Sequence, residues 1–456
     1  DEVSVTGTAE EYYEMTEIGN VTEVVVLSSD NNLPAATVVT TAEANDEQYE
    51  SVLLSITEAT CTNPDIGFGE FELDDGSGPL AIDDLFYEFA AQQDVVYSVT
   101  GPQMYAFGAY KVMPREAGDV SNASPLYYVS MPEEFDITTT GMTIQWETND
   151  DANSVVEWGL TTAYEFPTQT DETLTTSHSI QLTDMQPSEV YYIRVHSTDG
   201  ENSTTMVERV VCAQSESSGA IEVYFNHPVD TDVATTSEAT YDPDITATII
   251  SYIAGAQATL DITMYDTFGC PQSIFDAINA AYANGVAVRF ITDEEPENVE
   301  LDWLDPAISV AEGNFVGIMH NKFLVIDGED TDNCWVMTGS MNWTDANLGW
   351  DFNNVICIQD ESLAKAYTIE FEEMWGGQLS TPNFLLAAYG EFKTDNTPHK
   401  FVIGGKDVEL YFSPSDGTAD QMIDVIGATE NEMAFAIMAF TENSLGNAVL
   451  AAHNDG

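Results

Sequence analysis

The apolar pattern of this chain changes near residue 220, and that change constrains the fold more than any other feature. Before it, short apolar runs alternate with turn residues and show no helical periodicity. After it, strand patterns alternate with helical patterns. The Ser-rich segment 214–219 separates the two regions and is interpreted as a linker. We therefore expect a multidomain chain of 456 residues, with all-β domains first and an α/β domain after them.

Residues 1–122 are expected to form the first β domain, a small barrel. Residues 21–27 are one apolar run, and residues 51–57 alternate as a half-buried strand does. The pair Asp75-Gly76 marks a hairpin turn, because these residue types tolerate positive φ angles. Regular short strands without helical patterns favour a barrel or a sandwich.

A second β domain is expected over residues 124–214. Apolar residues alternate around Trp146 and Trp158 and again over residues 189–195, at the spacing of strands in a β-sandwich. His178 lies on one of these strand patterns, where we expect a structural histidine, either hydrogen-bonded or facing solvent, rather than a catalytic one.

The α/β domain is expected over residues 220–400. Its first segments are predicted to be, in order, strand, helix, strand, helix and strand, which implies a sheet covered by helices. These segments are 221–225, 244–254, 258–265, 271–283 and 286–291.

The net charge restricts where such a protein works. With 79 acidic and 10 basic side chains the formal charge is −69, while 43% of residues are hydrophobic. That apolar content indicates folded domains, so the charge must lie on their surfaces. Such a surface repels polyanions unless salt screens it, which excludes broad electrostatic capture of nucleic acid. We expect a saline or divalent-rich environment outside the cell.

Other features agree with an exported protein. The sequence begins at Asp1 rather than Met, so we expect that a signal peptide has been removed. No apolar run is long enough to span a membrane. The cysteine count is odd and shows no metal-binding spacing, so at least one thiol is expected to be free or intermolecular. The cysteines are Cys61, Cys212, Cys270, Cys334 and Cys357.

One short motif carries chemistry. His320 and Lys322 precede an apolar strand pattern at 323–326, so the two side chains share one face of the strand entry. An imidazole beside an ammonium group suits a phosphate, because the imidazole attacks or protonates while the cation offsets charge on oxygen. Lys322 is one of only ten basic residues in the chain.

A second segment completes this motif. Gly339-Ser340 ends a returning strand pattern, and Asn342 follows, where its amide can donate to a phosphate oxygen. The two segments together match the motif HxKxxxxD…GSxN, with His320, Lys322 and Asp327 in the first part and Gly339, Ser340 and Asn342 in the second.

On these residues, the region 220–380 resembles the phospholipase D superfamily, and residues 342–344, 353–355 and 371–376 resemble its nuclease-like branch. The resemblance implies a phosphodiester substrate and no required metal or other cofactor. It implies these roles: His320 as nucleophile or general acid, Lys322 and Asn342 as phosphate-binding residues, Ser340 as a positioning residue, and Asp327 as support for the histidine or the motif.

One departure from the family pattern is visible. Eleven residues separate Asp327 from Gly339, where the family usually has six. We expect the surplus, near residues 329–333, to form a longer acidic hairpin tip that leaves the site intact. A Ca²⁺-binding loop at this tip is left open as an alternative.

The β domains carry resemblances of their own. The string from residue 49 through the Asp75-Gly76 turn to Arg115 resembles the OB-type domain of some secreted bacterial nucleases. Such domains bind single-stranded nucleic acid by stacking bases on aromatic side chains. Tyr105, Phe107 and Tyr110 are candidates for this stacking. Packing within the domain explains their alternation at least as well. Residues 182–196 resemble a fibronectin type III domain of the kind that precedes secreted hydrolases.

The superfamily pairs two such motifs, and this sequence contains one. Residues 401–456 are interpreted as a second repeat that stops after strand, helix, strand and helix. The segments that resemble the strands and helices of the first repeat are 408–412, 422–428, 432–440 and 445–452. Three explanations are open: a longer natural chain, a second subunit that supplies the partner histidine, or a structural protein. We favour a longer chain, and we expect residues 430–452 to be covered in some way.

The leading functional prediction is a secreted phosphodiesterase with nuclease-like specificity that forms a phosphohistidine at His320. The alternatives are a non-catalytic structural, adhesive or filament protein of the cell surface, and a phospholipase. Because each phosphate contact needs local cations, the charge predicts that activity requires high salt or divalent ions for screening.

Overall fold

A computed structural model of the chain describes residues 2–12, 15–29, 35–67, 69–106, 108–122, 126–233, 239–294, 298–313 and 317–455. Asp1 and Phe107, named above, lie outside these residues. Short 3-10 helices, which only connect larger elements, occur at Glu43–Asn45, Glu47–Tyr49, Ala117–Asp119, Thr231–Val233, Val299–Trp303 and Gly390–Phe392.

The first β region consists of a hairpin and a separate sheet. Its strands are β1 (Glu2–Tyr12), β2 (Met15–Ser28), β3 (Thr37–Val38), β4 (Leu53–Gly67), β5 (Glu70–Asp74), β6 (Leu80–Ile82), β7 (Val96–Ala106), β8 (Ala109–Val112) and β9 (Val120–Asn122). Among the described strands, β1 and β2 pair only with each other. The other strands follow the order β3-β4-β5-β6-β8-β7-β9, and β7 also pairs with β4. That extra pairing closes a ring around Leu54, Phe71 and Tyr97.

The two cations of this region are already paired. Lys111 is buried and forms ion pairs with Glu70 and Asp83, and Arg115 donates to Asp119 at 2.7 Å. The rings of Tyr105 and Tyr110 pack on each other across β7 and β8, with centroids 4.8 Å apart. Among the described residues, these aromatic rings therefore pack within the sheet, as the alternative interpretation predicted.

The second β region forms one five-stranded sheet. Its strands are β10 (Tyr128–Thr138), β11 (Gly141–Gly159), β12 (Gln169–Thr183), β13 (Val190–His196) and β14 (Val207–Cys212). The long β11 pairs with β10, β12 and β13. His178 is buried in this sheet, stacks on Trp146 and contacts the hydroxyl groups of Thr148 and Ser154 at 2.8 and 2.9 Å. The structural role expected for this histidine is confirmed.

The α/β region contains an eight-stranded sheet in the order β16-β15-β22-β21-β20-β17-β18-β19. Its strands are β15 (Ile221–Phe225), β16 (Thr240–Tyr241), β17 (Thr259–Met264), β18 (Ala287–Thr292), β19 (Ser309–Glu312), β20 (Lys322–Ile326), β21 (Trp335–Gly339) and β22 (Asn354–Ile358). Its helices are α1 (Ile245–Gly255), α2 (Gln272–Ala283), α3 (Asp345–Gly349) and α4 (Glu361–Trp375). The predicted order of strands and helices up to residue 291 is confirmed.

Local sequence explains why these helices form and which face they bury. Asp244 caps α1 by accepting from the Ala247 N–H, and Ile245, Ile249 and Ile253 make one buried face at helical spacing. Helices α1 and α2 pack on one face of the sheet and α4 packs on the other.

A buried ion pair ties α4 to the sheet. The guanidinium of Arg289 on β18 donates twice to Asp261 on β17, both at 2.7 Å, and lies 4.7 Å from the centre of the Phe371 ring on α4. Two parallel N–H···O bonds fix the plane of the guanidinium, which in turn fixes the helix that stacks on it.

The predicted linker packs into the α/β region. The Ser218 N–H donates to the Gln359 side chain at 2.8 Å, and the Ser217 hydroxyl donates to the Thr331 carbonyl at 2.8 Å. These serines act as hydrogen-bonding residues against the sheet rather than as a free connection.

The C-terminal region departs from the predicted repeat. It contains β23 (Lys400–Ile403), β24 (Lys406–Glu409), α5 (Thr418–Gly427) and α6 (Asn443–Asp455). The two helices agree with the prediction, but the strand expected over 408–412 is reduced to the end of a hairpin with β23. The strand expected over 432–440 is wrong: those residues form no regular element.

The physical reason is the lack of a pairing partner. The apolar alternation of residues 432–440 favours a strand, but a strand also needs a neighbour for its N–H and C=O groups. The matching strand of the first repeat, β17, pairs with β18 and β20, and no counterpart of either strand occurs among the described residues of the C-terminal region. Residues 430–443 are exposed, so the cover that we expected for residues 430–452 is not supplied by the described part of the chain.

Within the described residues, no helix has both the length and the apolar composition that crossing a membrane requires. All five cysteines are buried and free, so the expectation of at least one free thiol is confirmed.

Candidate active site

Four of the motif residues, His320, Lys322, Ser340 and Asn342, lie where three strands of the α/β sheet end together. Lys322 begins β20 and pairs with Met264, the last residue of β17. On the other side of β20, Phe323 pairs with Thr338 of β21. Because β20 runs antiparallel to both neighbours, the segments that leave β17 and β21 meet the segment that enters β20.

His320 is exposed at this edge and lies against an aromatic ring. Its imidazole meets the ring of Tyr265 with centroids 4.7 Å apart and an interplanar angle of 67°. Desolvation lowers the pKa of His320 below its usual value, Lys322 adds to this effect, and Asp293 opposes it. The imidazole is therefore neutral near pH 7, which leaves a ring nitrogen with a lone pair for attack or proton acceptance.

Lys322 is the buried cation of the site. It is 9% exposed, its Nζ donates to the carbonyl of His320 at 2.8 Å, and it lies 5.3 Å from the centre of the Tyr265 ring. Burial lowers the pKa of Lys322 to about 8, and Asp266 partly opposes this change. The ammonium remains charged at neutral pH in a site where few waters compete for a phosphate oxygen.

Asn321, which lies between His320 and Lys322, directs its side chain to the other face of the sheet. The Asn321 side chain donates to Glu370 of α4 at 3.4 Å, and Glu370 is paired with the buried Lys393 at 2.6 Å. This alternation agrees with the prediction that His320 and Lys322 share one face.

Ser340 and Asn342 enter from the end of β21. The Ser340 hydroxyl donates to the Asn353 side chain at 2.9 Å and accepts from the Asn354 N–H at 3.1 Å. The Asn342 N–H donates to the Asn347 side chain at 2.9 Å, while the buried Oδ1 of Asn342 has no hydrogen-bond partner among the described residues. Both residues are therefore held by asparagines from α3 and the start of β22.

Asp293 was not identified from the sequence. It follows β18, is 1% exposed and accepts the N–H of Met319 at 2.6 Å, so it fixes the backbone immediately before His320. Tyr265 and Asp266, directly after β17, were also missed. The available signal was their position after buried strands of an α/β sheet, where functional side chains collect.

Asp327 was predicted to be a catalytic residue, and the structure places it apart from His320 and Lys322. It follows the far end of β20, roughly 16 Å from Lys322 at the rise of a strand. Its carboxylate accepts the N–H groups of Gln257, Ala258 and Thr259 at 2.8, 2.6 and 2.9 Å. The residue therefore joins β20 to the start of β17 and supports the motif architecture, the other role that the resemblance left open.

The acidic tip proposed for Ca²⁺ is a self-contained turn. Asp330 accepts the N–H groups of Asp332 and Asn333 and the Asn333 side-chain amide, and Glu329 lies 3.6 Å from Lys365. The tip is the turn between β20 and β21, as expected. The carboxylates of Glu329 and Asp330 are thus engaged by this chain's own donors.

Comparisons with known proteins agree with this geometry. Residues 249–375 match the family model described as "Cardiolipin synthase, PLD-like domain". The mitochondrial cardiolipin hydrolase of Xenopus tropicalis is 34% identical over 124 residues, which cover 26% of this chain and 56% of that protein. The human mitochondrial cardiolipin hydrolase is 28% identical over 131 residues, or 28% of this chain and 49% of that protein.

A solved structure shows a weaker similarity. The crystal structure of Nuc, a phospholipase D family member from Salmonella typhimurium, is 20% identical and covers 34% of this chain and 93% of Nuc, with a TM-score of 0.27. The sequence matches, rather than this score, show that the chain contains a PLD-like domain. All motif residues from His320 to Asn342 lie within the matched region. The chain spans about half the length of the curated relatives it matches.

Proposed function

We propose that this protein is a phosphodiesterase in which His320 is the nucleophile. The observation that carries the proposal is the exposed imidazole of His320, whose pKa is lowered, beside the buried ammonium of Lys322. An imidazole nitrogen forms a bond to phosphorus while the bond from phosphorus to the leaving oxygen breaks. Water then cleaves the phosphohistidine and restores the imidazole.

Lys322 and the residues after β21 bind the phosphate in this mechanism. The ammonium of Lys322 offsets the charge that grows on the non-bridging oxygens, and the amide of Asn342 donates to one of them. Ser340 positions the loop through its bonds with Asn353 and Asn354. The chemistry needs no metal ion, since the cation is a side chain.

The leaving oxygen needs a proton, and we propose that a second histidine supplies it. A second copy of this chain would bring its own His320 face to face with the first, whereas a longer natural chain would carry a second motif of its own. Specific activity that rises with protein concentration, together with a dimer in solution, supports the second copy. Specific activity that does not change with protein concentration, in a monomer whose mass exceeds 49.8 kDa, supports the longer chain.

We propose nucleic acid rather than lipid as the substrate, acted on outside the cell in a saline medium. The nuclease-like sequence signature around Asn342 and the OB-type character proposed for the first β region support nucleic acid. The name of the cardiolipin hydrolases supports a phospholipid as the second candidate. Hydrolysis of single-stranded DNA and of cardiolipin vesicles, compared at 0.1 and at molar NaCl, separates the two. The third candidate function is that of a structural surface protein. In that case the protein should form ordered assemblies and hydrolyse neither the DNA nor the cardiolipin.

The deciding variant is His320→Ala, assayed on the generic substrate bis(p-nitrophenyl) phosphate. We expect a loss of about 10³-fold or more, because the proposed reaction passes through a covalent bond to this imidazole. His453→Ala is the matched control, since His453 is an exposed histidine on α6. Equal turnover by both variants would remove His320 from the mechanism.

A further inference from the structure

A second cluster of metal-ligating side chains lies in the C-terminal region, apart from the His320 motif. Asp395, His399 and Asp416 each place one ligand atom within 4.8 Å of the other two. Asp395 and His399 precede β23, and Asp416 precedes α5. Ligands of a tetrahedral ion at about 2.1 Å lie about 3.4 Å apart, so modest side-chain movement brings these atoms to one ion.

A group outside the cluster orients the histidine. His399 Nδ1 lies 2.9 Å from the Leu410 carbonyl, which can only accept, so Nδ1 carries the proton of that bond. The other nitrogen, Nε2, faces the carboxylates and lies 3.0 Å from Asp395 Oδ1. The Tyr411 ring packs on the imidazole with centroids 4.6 Å apart. Metal-binding histidines are held in this way, with the distal N–H on a carbonyl or carboxylate.

The carboxylates are held differently, as a bound ion requires. Asp416 is 6% exposed, and its carboxylate accepts the Phe412 N–H at 2.7 Å and the Ser415 hydroxyl at 2.5 Å. The Thr397 hydroxyl also donates to Oδ2 at 3.4 Å, whereas Oδ1 accepts only from Ser415 among the described residues and keeps a lone pair for a further contact. Asp395 is exposed, so it offers both a ligand and an entry from solvent.

We propose that Asp395, His399 and Asp416 form a structural site for a divalent transition metal of the zinc class. A neutral imidazole and two carboxylates carry a charge of −2, which the ion neutralises, and water completes the coordination. Imidazole is a preferred ligand of zinc, whereas Ca²⁺ and Mg²⁺ select oxygen ligands. The ion joins the segment before β23 to the turn before α5, so it stabilises the β23–β24 hairpin and has no part in the reaction at His320.

The test is a Zn²⁺ titration of chelator-treated full-length protein, followed by calorimetry and by thermal unfolding. Molar NaCl and excess Mg²⁺ are present throughout, so that the acidic surface does not collect the ion. We expect one Zn²⁺ per chain and an increase of the unfolding temperature. Asp395→Asn should weaken the affinity by about tenfold or more, because it removes one charged ligand and leaves the buried residues unchanged.

Asp407→Asn is the matched control, since Asp407 is an exposed acid on the same hairpin. It should bind Zn²⁺ as the unmodified protein does. His399→Gln should lose binding as well, and circular dichroism shows whether it folds. The absence of stoichiometric binding would leave an ordinary ion pair between His399 and Asp395 and overturn the proposal. Equal binding by the Asp395 and Asp407 variants would also overturn it.

Discussion

The Tyr265 ring contacts the imidazole of His320, with centroids 4.7 Å apart, and the same ring lies 5.3 Å from the ammonium of Lys322. One aromatic side chain at the end of β17 therefore orients both groups of the motif. It also excludes water from one side of each, which contributes to the low pKa values of the histidine and the lysine.

Tyr265→Ala should lower kcat/KM by about tenfold to a hundredfold. The ring supplies packing and a cation–π contact, each worth about 1 kcal/mol, and small displacements of a nucleophile are costly. Tyr265→Phe keeps the ring and should retain activity within about threefold. Comparable losses in the two variants would assign the effect to the hydroxyl group instead.

The pH profile should show the titration of Lys322. The pKa of this lysine is lowered to about 8, so the cation that binds phosphate is present below pH 8 and is lost as pH rises through that value. We expect kcat/KM to fall above pH 8 in a buffer of constant ionic strength. Lys322→Arg, which stays charged, should keep residual activity without this basic limb. A basic limb that persists in Lys322→Arg would show that another group titrates.

Asp327 should matter for stability rather than for the chemical step. Asp327→Ala leaves three backbone N–H groups without their acceptor, and we expect a loss of about 3 kcal/mol in the free energy of unfolding. Urea denaturation measures this loss. Activity at low temperature, where the variant is folded, should stay within about tenfold of the original. Unchanged stability together with lost turnover would return Asp327 to the catalytic residues.

Salt should stabilise the folded protein through its charge. A formal charge of −69 repels itself within the compact state, and screening reduces that repulsion. Between 0.1 and 2 M NaCl we expect the unfolding temperature to rise by about 5 °C or more. Glucose at equal osmolality, which does not screen charge, should give a smaller rise. A flat response to NaCl would mean that the acidic groups lie too far apart to destabilise the fold.

The sequence predicted the elements that carry their own local signals. Helix α1 was predictable because Asp244 caps it and three isoleucines recur at helical spacing. The face shared by His320 and Lys322 was predictable because strand alternation is a local property.

The parts that the sequence did not predict depend on contacts between distant segments. Asp293 reaches the motif only because β18 and β20 flank β17 in the sheet. The position of Asp327 in the motif predicts a catalytic residue, but strand β20 places Asp327 and Lys322 at opposite ends of the sheet. Residues 432–440 have the alternation of a strand without a neighbour to pair with. In each case, the outcome depends on whether a distant segment supplies a partner, which local sequence does not specify.

The most direct test of the central claim is to trap the phosphohistidine. The protein is mixed briefly with a phosphodiester substrate, quenched at alkaline pH, at which phosphohistidine is most durable, digested and analysed by mass spectrometry. We predict an adduct on the peptide that contains His320, made of the phosphoryl group and the one ester group that the substrate has not lost, absent from His320→Ala and present in His453→Ala. Turnover without any adduct at His320, or with an adduct at another residue, would contradict the account.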